Sequence, residues 1–211
     1  MVYQHRTVPV SSIDTADQTY RITTKTDIDD LIPAIRSVGL SAPPILQKRD
    51  ADYLIISGFR RVNACRALGL DRIEARTIDD QADPHICAKL AIVENALQRP
   101  LNPIEQARAL ALLFRFLKGE EKLDVEAGFL GLPTGRDIIQ KLLSLYHMPE
   151  EIQRAVVSKT ISLPMALSLA RLDKKTAVLV LDIFRLLRPS LNKQREILTH
   201  LEEIAARDNI D

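Results

Sequence analysis

The stretch from Tyr53 to Leu70, Y-L-I-I-S-G-F-R-R-V-N-A-C-R-A-L-G-L, constrains this chain most. Leu54, Ile55 and Ile56 form an apolar run of strand character, and Ser57-Gly58 breaks it. From Phe59 the period changes to that of a helix, with Val62, Cys65 and Leu68 on one face. Gly69 stands where a helix takes a left-handed residue just past its end, and Leu70 is placed for the accompanying apolar contact. The reading is strand, tight glycine turn, helix. A helix start leaves backbone N–H groups without an intrahelical partner and carries partial positive charge. Arg60 and Arg61 fall in that first turn, so amides, dipole and two guanidinium groups together suit a phosphate. Glycine is common at such turns, and paired arginines on a helix are often only solvated. The stretch alone therefore leaves both readings open.

Before this stretch, V-P-V-S-S-I is a short extended segment whose Pro9 suits a sheet edge, and residues 14–27 are polar and read as loop. A helix follows with Leu31, Ile32, Ile35 and Val38 apolar and Gly39 closing it; Asp30 as N-cap places Pro33 in its first turn. Ile45-Leu46-Gln47 is a candidate strand, and Ile73–Ile78 is another. Strands and helices thus alternate through the first eighty or so residues, an α/β or α+β pattern on a small sheet.

From Asp83 onward the pattern is helical. Asp83 caps a helix with Pro84 at its first position and Ile86, Leu90, Val93 and Leu97 as the expected buried stripe. Asn102-Pro103-Ile104-Glu105 then restarts a helix with a capping-box arrangement, continuing to about Lys118, before Gly119. Asp124 is placed to cap V-E-A-G-F-L. Thr134 is placed to cap a following helix, with Asp137 at its third position. Two short helices about a Gly- and Pro-containing turn, at about 124–147, fit a helix-turn-helix. Thr134, Gly135, Arg136, Gln140 and Lys141 would then lie at a DNA groove; an ordinary helical hairpin fits the same pattern. Further helices are expected at 150–158, 163–172, 174–187 and 191–206. The 174–187 helix is apolar over a wide arc, suited to a bundle core or to another subunit. The chain divides by pattern at about residue 100, into 1–100 and 101–211.

Charge decides little here. The formal net charge is +1 and no segment is broadly basic, so neither nucleic acid nor its absence follows. The local excess is Arg60, Arg61, Arg66, Arg72 and Arg76 against Asp71 and Glu74. Cys65 and Cys87 sit among apolar residues and read as buried, reduced thiols rather than metal ligands or a disulfide. No apolar run approaches membrane-spanning length, and a cytoplasmic protein is expected.

Three blocks stand in a fixed order: G-L-S-A-P-P-I at Gly39–Ile45, I-S-G-F-R-R-V-N-A at Ile56–Ala64 and E-N-A-L-Q-R-P-L-N-P-I-E at Glu94–Glu105. With the two-helix pattern and M-P-E-E-I-Q at Met148–Gln153, the series resembles the ParB family of chromosome- and plasmid-partition proteins over roughly residues 5–173. The resemblance implies an α+β chain: a small ParB/sulfiredoxin-like α/β domain followed by an all-α helix-turn-helix domain. It implies a clamp or switch that binds CTP with Mg²⁺ and loads onto DNA as a homodimer, a nucleoid-associated location and a partition ATPase as partner. Transcription regulation is a variant of that role. Carried over by position, Ser57, Gly58, Phe59, Arg60 and Arg61 would hold the nucleotide with Asn95 and Arg99. Glu94 and Asn95 would serve the metal, and Glu94 any slow hydrolysis.

The chain departs from the family pattern in three places. Phe59 replaces an acidic residue, Ala42 replaces a glutamine, and both Ala96 and Leu97 separate Glu94-Asn95 from Gln98-Arg99 where the family has one residue. The chain also ends soon after the helical part, so the family's separate C-terminal dimerisation domain is not expected within it. Two other readings stand beside the first. One is a small-molecule kinase or other phosphoryl-transfer enzyme on the same fold, with Glu94 near a phosphate pocket. The other is an interaction module without nucleotide. Redox repair of the sulfiredoxin type is disfavoured, because Phe59 occupies the place of the reactive cysteine.

Overall fold

A computed structural model describes residues 3–117 and 122–208. The strands are β1 (Gln4–Pro9), β2 (Ile13–Asp14), β3 (Ile45–Arg49), β4 (Asp52–Ser57) and β5 (Arg72–Ile78). The helices are α1 (Leu31–Val38), α2 (Phe59–Ala67), α3 (Pro84–Ala96), α4 (Pro103–Phe116), α5 (Leu123–Phe129), α6 (Arg136–Tyr146), α7 (Glu150–Val157), α8 (Leu163–Leu169), α9 (Lys174–Leu187) and α10 (Leu191–Asp208). The chain is α+β, with every strand among the described residues ahead of residue 80. It forms two compact units: one runs to Leu101 and also holds Arg108–Thr134, and the other holds Asn102–Ala107 and everything from Gly135. The division therefore passes through α4 and through the turn between α5 and α6.

In the first unit the five strands run in the order β1-β5-β3-β4-β2. Strands β1 and β5, and β3 and β4, are antiparallel; β3 and β5, and β2 and β4, are parallel. Pro9 ends the edge strand β1, where its missing N–H costs no ladder bond. Because side chains alternate across a strand, β4 buries both faces. Ile55 joins Leu46, Phe59, Val62 and Cys65 on the side of α1 and α2. Leu54 and Ile56 turn to the other face, where α3 packs on β4.

The connection from β4 to α2 follows the sequence closely. Gly58 has φ +100°, and Val62 N–H makes the first helical bond to its carbonyl at 3.0 Å. At the far end, Leu70 N–H returns to Cys65 O at 3.1 Å and Gly69 N–H to Arg66 O at 3.0 Å, with Gly69 at φ +68°, a Schellman closure. Both cysteines are buried free thiols.

The α3 stripe is a correction. Ile86 and Leu97 are 46% and 81% exposed, and the buried face is Cys87, Ala88, Ala91 and Ile92. Two apolar stripes at helical spacing compete in this segment, and the one made of small side chains lies against the sheet.

Two cap assignments, Asp124 and Thr134, are corrected too, whereas Asp83 caps α3 as expected, its Oδ1 accepting from His85 N–H at 2.9 Å. Asp30 holds the N-cap position of α1, but its side chain makes no capping bond. Lys122, not Asp124, precedes α5. Gly135, with φ +94°, replaces Thr134 at the start of α6, so Asp137 stands at the second helical position. The capping box at α4 forms as read: Asn102 Oδ1 accepts from Ile104 N–H and Glu105 N–H at 3.0 Å each, and Glu105 Oε2 accepts from Asn102 N–H at 3.1 Å. That helix ends at Phe116, and Lys118 and Gly119, where its end was expected, lie outside the described residues.

The second unit is a helical bundle whose core includes Ile104, Leu145, Ile152, Met165, Leu181 and Phe184. Helix α9 sends Ala177, Val180, Leu181 and Phe184 inward, leaving Leu179, Leu186 and Leu187 exposed.

Candidate functional site

The turn after β4 opens into a cleft of about 160 Å³ within the first unit. Its floor is Ser57, Gly58, Phe59, Arg60 and Arg61. Asn95, Gln98 and Arg99, from the end of α3 and just beyond, form one wall. Ile22, Thr23, Lys25 and Leu31 form another. These lining residues include four cations (Lys25, Arg60, Arg61 and Arg99) and no carboxylate. Because α2's ladder begins at Val62, the amides of Phe59, Arg60 and Arg61 precede it and carry the positive end of the dipole.

Gly58 is required twice over. Its φ lies in the left-handed region, and a Cβ there would stand 2.9 Å from Pro44 Cβ and 3.1 Å from Arg61 Nη2. Phe59 borders the cleft while its ring is part of the core shared with Ile55 and Val62. The acidic residue of the family pattern is thus replaced by a side chain turned inward.

The two arginines are held differently. Arg61 donates through Nη1 to Ala42 O at 2.6 Å and Pro43 O at 3.2 Å. Burial lowers its pKa, opposed by the charge of Glu94. Arg60 donates through Nε to Asp27 O at 2.6 Å and through Nη2 to Asp30. Ala42 therefore serves through its backbone, which a glutamine at this position would supply equally.

Of the residues singled out in the sequence, Ser57, Gly58, Phe59, Arg60, Arg61, Asn95 and Arg99 meet at this one cleft. Glu94 does not line it: its Oε2 pairs with Arg76 Nη2 at 3.1 Å, and the Arg76 guanidinium lies over the Tyr3 ring at 5.4 Å. Asn95 Nδ2 donates to Ala91 O at 2.7 Å. The inserted residue after Asn95 leaves Arg99 on the cleft. Among the described residues no three His, Cys, Asp or Glu side chains gather as a metal cage. Sequence reasoning missed Ile22, Thr23, Lys25, Leu31 and Gln98. Lys25 lies in a polar stretch without periodicity, and nothing local ties it to α2. Thr134, Gly135, Arg136, Gln140 and Lys141 are all exposed, the last three on one side of α6.

Fold and site define an α+β protein with a cation-lined cleft at a strand-to-helix turn. Residues 2–96 match the ParB N-terminal domain. A nucleoid occlusion protein of Listeria innocua is 33% identical over 147 residues, which are 69% of this chain and 50% of that protein. A probable chromosome-partitioning protein ParB of Treponema pallidum is 30% identical over 148 residues, 69% of this chain and 43% of that one. The chain spans about half the length of such curated relatives. Among solved structures, a pNOB8-like ParB N-domain shares the fold at TM-score 0.53 and 16% identity, covering 84% of this chain and 78% of that one.

Proposed function

We propose that this chain is a ParB-like DNA-binding protein of chromosome or plasmid partition, with CTP in the cleft as its switch. The observation that carries this reading is a cleft lined by four cations at a glycine turn, in a chain whose residues 2–96 match the ParB N-terminal domain. A triphosphate needs guanidinium and backbone donors, and both converge there. Gly58, Arg60 and Arg61 hold the phosphates, with Ser57 and Phe59 shaping the turn and Asn95 and Arg99 facing them. A Mg²⁺ ion would be held mainly by phosphate oxygens and water, with Asn95 as the nearby protein oxygen, and would offset phosphate charge. Glu94 would serve it, or slow hydrolysis, only with its Arg76 pair open.

The exposed residues Arg136, Gln140 and Lys141, following Gly135 at the start of α6, form a DNA-reading helix edge. The chain works on the nucleoid as a homodimer, with a partition ATPase as a further partner and transcription regulation as a related role. No described helix is long and apolar enough to cross a membrane.

Calorimetric titration with each of the four nucleoside triphosphates, in Mg²⁺, tests the reading. Saturable binding of CTP in preference to the others is expected. Binding of no nucleotide would favour an interaction module, and rapid turnover on a small acceptor would favour a phosphoryl-transfer enzyme.

A further inference from the structure

We propose that Asp30 is a built-in competitor for the ligand's phosphate: its carboxylate sits in an anion subsite formed by Lys25 and Arg60, and the bound nucleotide displaces it. The inference rests on reading the cleft as a triphosphate site. Lys25 and Arg60 both line the cleft, and Asp30 does not. Yet one oxygen of Asp30 pairs with Lys25 Nζ at 2.8 Å and the other with Arg60 Nη2. Two cations sharing one oxyanion is the arrangement a phosphate group would take.

Asp30 occupies the N-cap position of α1, where an aspartate ordinarily accepts from the helix's first amides. Its side chain makes no such bond. The carboxylate serves the two cations instead, and their hydrogen bond and charge hold its carboxyl below the usual range. Arg61 offers the contrast. Its side-chain hydrogen bonds go to the neutral carbonyls Ala42 O and Pro43 O and not to a carboxylate, so it is fixed in place, and a guanidinium has donors to spare. One arginine is thus pre-set for an anion and the other is already neutralised by one. Asp30 and Lys25 are each 48% exposed, and ion pairs that open exchange readily with solvent and ligand.

The test is calorimetric titration of the full chain with inorganic triphosphate and with CTP in Mg²⁺, on wild type, Asp30→Asn, Lys25→Gln and the control Asp29→Asn. The control removes the same charge from the neighbouring exposed residue. Asp30→Asn should bind about tenfold tighter than wild type, Lys25→Gln should bind more weakly, and Asp29→Asn should match wild type. Tighter binding by Asp30→Asn alone would equally support the proposal if wild type binds too weakly to measure. Equal or weaker binding by Asp30→Asn, with wild type binding normally, would make Asp30 a positioning residue for Arg60 and overturn the proposal while leaving the cleft reading intact. Equal tightening in Asp29→Asn would reduce the effect to general charge and also overturn it. Binding by none of the proteins would overturn both readings. Urea unfolding of each variant shows that the fold persists.

Discussion

At the scale of single residues, Gly58 carries the most weight. It supplies a left-handed turn and leaves room for Pro44 and Arg61, and no other residue type does both. Gly58→Ala is expected to cost about 1–3 kcal/mol of stability, read from the midpoint of urea unfolding. Arg60→Ala should lower phosphate affinity with unfolding unchanged, since Arg60 holds only the exposed Asp27–Asp30 segment. The thiols give a pH prediction. Burial pushes Cys87 up from 9.0 to about 11 and raises Cys65 as well. The folded chain then keeps protons that the unfolded chain releases, so their contribution is present below pH 9.0 and lost as pH rises toward about 11. Stability should fall over that window, and Cys87→Ala should flatten the fall. These residues were legible because glycine, arginine and cysteine in that setting have few physical uses. Lys25 and Asp30 were not, since their meaning comes from α2, thirty or more residues away in sequence.

At the scale of elements, caps and stripes decided what could be read. The box at Asn102 formed because both partners of a reciprocal pair stand at the right spacing. Asn102→Ala should cost about 0.5–2 kcal/mol, measured by thermal or urea unfolding. Single-sided caps read unevenly: Asp83 caps α3 as expected, and others did not hold. Thr134 gave way to Gly135, whose positive φ turns the chain directly into α6, and Asp30 took cations in place of amides. The burial of α3 was misread because Ile86, Leu90, Val93 and Leu97 form a regular apolar stripe while Ala88 and Ala91 carry little hydrophobic signal. Close approach to the sheet favours the small residues, and periodicity does not record distance of approach.

At the scale of the whole chain, the sheet order was not legible, because β5 reaches β3 across the β4–α2 connection and no local pattern encodes that pairing. The gathering of the cleft was legible only through the order of the three blocks. A DNA prediction also belongs here. Arg136 is exposed at the head of α6, and Arg136→Ala should weaken DNA binding in a gel-shift series and make its salt dependence shallower by about one ion; unchanged affinity and slope would remove it from the interface. The central claim is that amides and arginines after β4 receive a triphosphate. Crystals soaked with CTP and Mg²⁺ test it most directly. The account predicts the phosphates against Gly58–Arg61, with Asn95 and Arg99 closing from the other wall. Nucleotide bound elsewhere, or a cleft unchanged at saturating CTP, would contradict it.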